Sequence, residues 1–316
     1  MADRRSIWDS GVPQLLFLGL LWGATFPIAR VGIDGGANPF VLVVLDLALA
    51  VVVMAPVLAL SHTPRPPLRT LAQSAGLGAL LIAGINLPLY WGLQYATGGA
   101  ASIVYATAPF VSLLALGILG ASDGIRRVQV VALALGLTGV ILIGFATTGG
   151  SLLAGLVAVA AFGLGAACQG VGAVFVGRAR PRGENAWGLT FQFAGAGAAA
   201  LVALPFLARN LSFPLNASTL GSVVYVGLLT MVVGYTLFYR LIQGFGPVRA
   251  NQVTFLNPVV ALLVGVVAFG EGFEPLEAVA LALIILALLL LHPSSGQRPV
   301  PTGTPAPPLA RSREPS

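Results

Sequence analysis

The sequence predicts an all-α integral membrane protein of ten transmembrane helices, built as two inverted five-helix repeats. Composition, a series of apolar runs and an internal offset carry that expectation. Of the 316 residues, 57% are hydrophobic and only 8% charged, and the mean hydropathy is +0.94. That balance leaves too little charge to clothe a water-facing surface. Nearly all of residues 12 to 292 falls into runs of about 20 apolar residues, the length a helix needs to cross a hydrocarbon core of roughly 30 Å.

Ten such runs lie at 12–33, 38–60, 69–93, 99–121, 126–146, 153–177, 185–207, 218–243, 247–270 and 274–292. They divide into a first repeat, 12–146, and a second, 153–292, flanked by a segment at 1–11 and a tail at 293–316. The tail, HPSSGQRPVPTGTPAPPLARSREPS from His292 on, has too little apolar surface to order itself and reads as a disordered cytoplasmic extension. Before the first run stand Arg4 and Arg5, interrupted by Asp3 and Asp9, and that run lacks an Ala-x-Ala exit, so it reads as a membrane span and not a cleaved leader.

All sixteen basic residues are Arg. With loops assigned alternately to the two sides, fourteen of the sixteen fall on one side and only Arg30 and Arg209 on the other. The positive-inside rule then makes both termini cytoplasmic in a multi-pass protein of the cell inner (plasma) membrane. The net charge of +6 is spent between helices, which excludes a nucleic-acid surface. A single Cys168 excludes an internal disulfide and a cysteine metal site.

Sliding the chain by 149 positions brings Pro109 onto Pro258, Tyr90 onto Tyr239 and Gln94 onto Gln243. An odd number of spans per copy turns the second copy over in the membrane, the design of many secondary transporters. Proline removes a backbone donor and clashes with the carbonyl four residues back. The freed carbonyl is tolerated only against protein or a wet cavity. Pro27, Pro109 and Pro258 are therefore the candidate kinks and gating points, with a static kink the plainer alternative.

Four stretches extend this picture: LLWGATFPIAR at 20–30, the Tyr90 to Pro109 block, its counterpart from Tyr239 to Pro258, and AFGEGFEPLEAVALALIILALLLL at 268–291. In that order they resemble the drug/metabolite transporter superfamily, specifically its EamA-type ten-helix exporters, and most of all the YddG-type carriers. The resemblance implies export of amino acids, aromatic ones especially. It includes a Glu between the last two helices of a repeat, matched by Glu271 but replaced by Ser122 in the first repeat. Where the second helix of the family usually carries Arg, this chain has Asp46.

Polar residues recur at helical spacing. Asn86, Tyr90 and Gln94 form one stripe, Ser102, Tyr105, Pro109 and Ser112 a second, and Asn251, Thr254 and Pro258, beside Asn257, a third. Tyr235, Tyr239, Gln169, Trp22 and Thr25, with Phe26 beside them, add to these. The candidate cavity set is Trp22, Thr25, Asn86, Tyr90, Tyr105, Gln169, Tyr235, Tyr239, Asn251, Thr254 and Asn257, aromatics and neutral amides suited to a small ligand with an apolar body. Helix-to-helix hydrogen bonding is the alternative reading for the amides and hydroxyls, and the preferred one for Ser102 and Ser112. Lipid-interface anchoring is the alternative for the aromatics, and suits Trp91.

Asp46 lies roughly 12 Å along its helix at 1.5 Å per residue, near mid-bilayer, where an ionised Asp costs about 2.5 to 3.5 kcal/mol. It is a candidate proton-coupling carboxylate, with a neutral buried acid the alternative. Arg30 and Arg240 sit near helix ends and are read as reaching for headgroups, with capture of a substrate carboxylate the alternative for Arg240. His62 and His292 lie at segment ends, away from any midplane relay. The only acidic cluster, Glu271, Glu274 and Glu277, reads as a solvated helix start. There is no phosphate loop, metal cluster or nucleophile and base pair, and the set implies no catalysis, no cofactor and no metal. The expectation is a secondary carrier, monomer or weak homodimer, whose partners are the bilayer and a small amino acid-like solute. A carrier of another metabolite or lipophilic cation is the alternative, and a membrane-embedded lipid-modifying enzyme a more distant one.

Overall fold

The computed structural model describes residues 11–60, 64–119, 152–179, 186–270 and 275–291, with isolated positions between 128 and 142. The helices are α1 (Val12–Asp34), α2 (Pro39–Leu60), α3 (Leu68–Gly92), α4 (Gly98–Ile118), α5 (Leu152–Ala179), α6 (Ala186–Leu207), α7 (Ala217–Phe245), α8 (Pro247–Phe269) and α9 (Pro275–Leu291). Eight of these, α1 to α8, are long and apolar enough to span a membrane, and α9 adds 17 residues. The described positions of the run at 126–146 are also helical. Its remaining residues, Ser122, the arginines at 126, 127, 180 and 182, His62, Glu271, Glu274, and the segments 1–10 and 292–316 lie outside the described residues.

The prolines behave in two ways. Pro27 sits inside an unbroken α1, and Gly98 lets α4 begin directly against it, since a Cβ there would stand 2.5 Å from the Pro27 nitrogen. The repeat-matched pair goes further than a kink. α4 stops at Tyr105 and restarts at Ala108, with Pro109 in the first turn of the new segment. α8 runs from Pro247 to Asn251, tightens into a 3₁₀ turn over Gln252–Phe255, and restarts at Asn257 with Pro258 in its first turn. A proline in a first turn needs no backbone partner for its nitrogen, so each break is satisfied locally. The Thr107 hydroxyl takes up the Val104 carbonyl (2.7 Å), and that of Thr254 the Asn251 carbonyl (2.8 Å).

α7 contains a feature that periodicity did not foretell, a π-helical stretch over Tyr225–Tyr235. Such winding is usually confined to a single turn and recurs at functional positions. Here it surrounds Thr230 and Gly234, both of which meet Trp22 of α1.

Packing follows the repeat. α3 lies on α6 as α7 lies on α2, α3 on α5 as α7 on α1, and α4 on α5 as α8 on α1. Each pair becomes the other when the halves exchange. The closest approaches are repeated as well. A Cβ on Gly23 of α1 would lie 2.5 Å from the Val260 Cβ and 3.0 Å from the Asn257 oxygen of α8. One on Gly170 of α5 would lie 2.6 Å from both the Val111 Cβ and the Ala108 oxygen of α4. Val111 and Ala108 are Val260 and Asn257 displaced by the same 149 positions that align the prolines.

Because these crossings have no room for a methyl group, Gly170→Ala is expected to cost about 1–3 kcal/mol, the range for overpacking. Gly163, on the same helix, has nothing within 4 Å of a built Cβ, so Gly163→Ala should stay within about 0.5 kcal/mol. Denaturant titration of the purified protein in mixed micelles checks the contrast, and equal behaviour of the two variants would contradict the tight crossing.

Candidate functional site

A small cavity of about 10 Å³ lies at the centre, walled by α1, α3, α5 and α7. That is the scale of a single water, so side chains fill most of the space between these helices. One wall is aromatic, made by Trp22, Tyr235, Phe238 and Tyr239, and the opposite wall is Leu81, Ile82, Ile85, Ala173 and Val176, with the Gln169 amide between them. The aromatic wall is stacked: the Trp22 ring centroid is 4.7 Å from that of Phe238 and 5.5 Å from that of Tyr235, and Tyr235 meets Tyr239 and Phe193 edge-on at 6.0 and 5.9 Å. These separations fall in the favourable range for tilted and edge-to-face pairs. The Trp22 indole N–H donates to the Thr230 carbonyl at 3.4 Å, which fixes the ring between α1 and the π-helical stretch. Gly234 makes this possible, since a Cβ there would collide with the indole nitrogen.

Of the sequence candidates, Trp22, Gln169, Tyr235 and Tyr239 stand on the cavity wall. The others form hydrogen-bonded layers around it. Thr25 and Thr230 share a 2.6 Å hydroxyl contact, with Thr25 also donating to the Leu21 carbonyl. Asn86 donates to the Ile82 carbonyl at 2.8 Å, and Tyr105 to the Ile85 carbonyl at 2.8 Å with Phe26 edge-on to its ring. Gln169 donates to the Asn251 Oδ1 at 3.3 Å, Asn251 to the Ser112 Oγ at 2.8 Å, and Ser112 to the Gly170 carbonyl at 2.9 Å. Thr254 is bonded within its own helix. Asn257 is buried beside Pro258, and its Oδ1 has no partner among the described residues.

Tyr90 is fully buried away from the cavity wall, and its hydroxyl donates to Oδ2 of Asp46 at 2.5 Å. Its repeat partner Tyr239 makes the equivalent bond, hydroxyl to Gln192 Oε1 of α6, at 2.5 Å. Arg30 does not reach for headgroups: it pairs with Asp34 at 2.9 Å and donates to the Leu93 and Ala96 carbonyls, so it caps the C-terminal end of α3. Arg240 is exposed. Ser102 bonds to the Gly99 carbonyl at 2.6 Å, and Ser112 bridges two helices, both structural uses. Trp91 is half-exposed. No group of His, Cys, Asp or Glu suited to a metal occurs among the described residues.

Phe238, Thr230 and Gln192 were missed. Phe238 follows Tyr235 by one helical turn, which was a usable signal. Gln192, the amide of an otherwise apolar run, was another. Asn251 holds two partners at once, so Asn251→Ala is expected to strand the Gln169 amide and cost about 1–3 kcal/mol. Thermal unfolding in detergent reads this, and a change below about 0.5 kcal/mol would show the bridge to be idle.

Comparison with known proteins agrees with this architecture. A solved crystal structure superposes with a TM-score of 0.65 at 20% identity, over 89% of this chain and 96% of that one, which speaks to the fold. The uncharacterized inner membrane transporter YedA of Escherichia coli (strain K12) is 28% identical over 88% of this chain and 89% of its own. A probable terminal-alkyne amino-acid exporter of Streptantibioticus cattleyicolor is 29% identical over 91% and 93%. A probable amino-acid metabolite efflux pump of Salmonella typhimurium is 24% identical over 87% and 92%. The EamA-like transporter family matches twice, at residues 9–145 and 153–292. Two family repeats, apolar membrane-length helices and exchangeable packing converge on one conclusion: the chain belongs to the EamA-like transporter family and is a multi-pass membrane transporter.

Proposed function

We propose that this transporter exports small organic metabolites, neutral and aromatic amino acids first, by alternating access through the central cavity. The single observation that carries the reading is the cavity wall: Trp22, Tyr235, Phe238 and Tyr239 with the Gln169 amide, and no charged side chain. Such a wall suits an apolar or aromatic body, while amides and the broken ends of α4 and α8 suit the ends of a zwitterion. The names of the relatives from Streptantibioticus cattleyicolor and Salmonella typhimurium point the same way. In this reading the repeats are 12–146 and 153–292, both termini are cytoplasmic, and the working unit is a monomer or weak homodimer. Helix movement at the breaks then makes room for the solute in this small cavity.

A lipophilic cation is the second reading, because stacked Trp and Tyr faces also attract cations. Counterflow in proteoliposomes loaded with mixed amino acids separates the two. Exchange of aromatic and neutral amino acids supports the first, and exchange of quaternary ammonium ions alone supports the second. Trp22→Ala is expected to lower counterflow about two- to thirteenfold, the loss of about 0.5–1.5 kcal/mol of ring contact. Undiminished exchange in folded variant protein would remove Trp22 from the solute's path.

A further inference from the structure

The two tyrosine bonds come from matched donors and differ in the chemistry of their acceptors. Tyr90 and Tyr239 are 149 positions apart. Each donates its hydroxyl to a buried side chain on the second helix of its own half, Asp46 on α2 and Gln192 on α6. At the same two points the halves touch. Gly227 of α7 lies against the Asp46 backbone, where a Cβ would come to 2.9 Å of its carbonyl oxygen, and Gly78 of α3 lies against the Gln192 backbone more closely still. Gly78 and Gly227 are again 149 positions apart. The α2 and α7 contact and the α3 and α6 contact are therefore one interface, built twice with the halves exchanged.

We propose that Asp46 and Tyr90 form a proton-dependent latch on one face, and that Gln192 and Tyr239 form its proton-independent counterpart on the other. The proposal rests on the alternating-access reading above. Asp46 is completely buried, Oδ2 is held by Tyr90, and Oδ1 has no partner among the described residues. An ionised carboxylate with one hydroxyl donor is costly in such a place, whereas the neutral acid is tolerated.

Among the described residues of the helices packed against α2, no other charge compensates. α1 offers Arg30 and Asp34, which are paired to one another. α3 offers Arg69 and Tyr90, and α6 none. α7 offers Tyr225, Tyr235, Tyr239 and Arg240, of which Tyr225 donates to Leu21 and Tyr239 to Gln192. Tyr90 is the one that bonds to Asp46.

When α2 parts from α7, water reaches Asp46 and accepts its proton; when they close, one proton returns from that face. Gln192 has no proton to exchange, so its face closes equally at any pH.

The test is counterflow by the full-length protein at equal internal and external pH, from about pH 6 to about pH 8. One proton per cycle limits the pH response to about tenfold per unit. Wild type should respond severalfold. Asp46→Asn, which keeps an oxygen for Tyr90, should exchange at a rate independent of pH, and Gln192→Glu should add a second pH-dependent step. An Asp46→Asn profile that matches wild type overturns the latch. Infrared spectroscopy supplies a readout free of any solute. A protonated-carboxyl carbonyl band at neutral pH that vanishes in Asp46→Asn supports the proposal, and its absence from wild type overturns it. Failure of wild type to exchange amino acids would sink the export reading while leaving the infrared result to decide the latch.

Discussion

The structure depends on one constraint: within a hydrocarbon core no water satisfies a polar group, and lipid gives apolar helices no reason to prefer one another. Helices must be held by close approach and by hydrogen bonds made inside the protein. Glycine at Gly23, Gly78, Gly170 and Gly227 supplies the approach, bringing one backbone against the next. The hydrogen bonds follow from it. Trp22 reaches Thr230, Tyr90 reaches Asp46 and Asn251 reaches Ser112 because the backbones beneath them are already nearly touching. A single methyl group at a crossing would separate several such bonds at once.

The same constraint explains the twofold design. Because the crossings are duplicated with the halves exchanged, the alternating-access reading has opening of one face and of the other break similar contacts, as two states of similar energy require. Departures from symmetry then mark where the two halves do different jobs. Asn257 stands where the first half has Ala108, and the matched tyrosines bond to unlike side chains, Tyr90 to Asp46 and Tyr239 to Gln192. Trp22 is braced by the π-helical stretch of α7, a winding described in that half of the chain.

Much of this was legible beforehand. Apolar length located the described spans to within about three residues, as Leu152–Ala179 against the run at 153–177 shows, because hydrophobic thickness fixes helix length directly. The offset that aligned Pro109 with Pro258 also paired Tyr90 with Tyr239, and both tyrosines do play equivalent parts. What they bond to was not legible. Helical spacing tells which residues share a face, but the partner helix is a matter of tertiary packing, so Tyr90 read as a cavity residue and Gln192 was passed over. Arg30 was misjudged for the same reason: its carbonyl partners at the end of α3 are distant in sequence. The π-helical winding left no trace, since its composition is that of any apolar helix.

The separation between latch and cavity has a consequence for coupling. A carboxylate on the cavity wall would compete with the solute for one space, and proton and solute would exclude each other by contact. Asp46 is instead buried at the α2 and α7 crossing, outside the wall that Trp22 and Gln169 share. In the proposed latch, linkage between the two passes through closure itself: whatever holds α2 against α7 favours the bound proton, and the bound proton favours closure to the same degree. On that proposal a solute that fills the cavity and draws the helices together influences Asp46 without touching it. Such coupling needs no particular solute, only one large enough to change the closing equilibrium, which agrees with a wall made of aromatic rings and one amide.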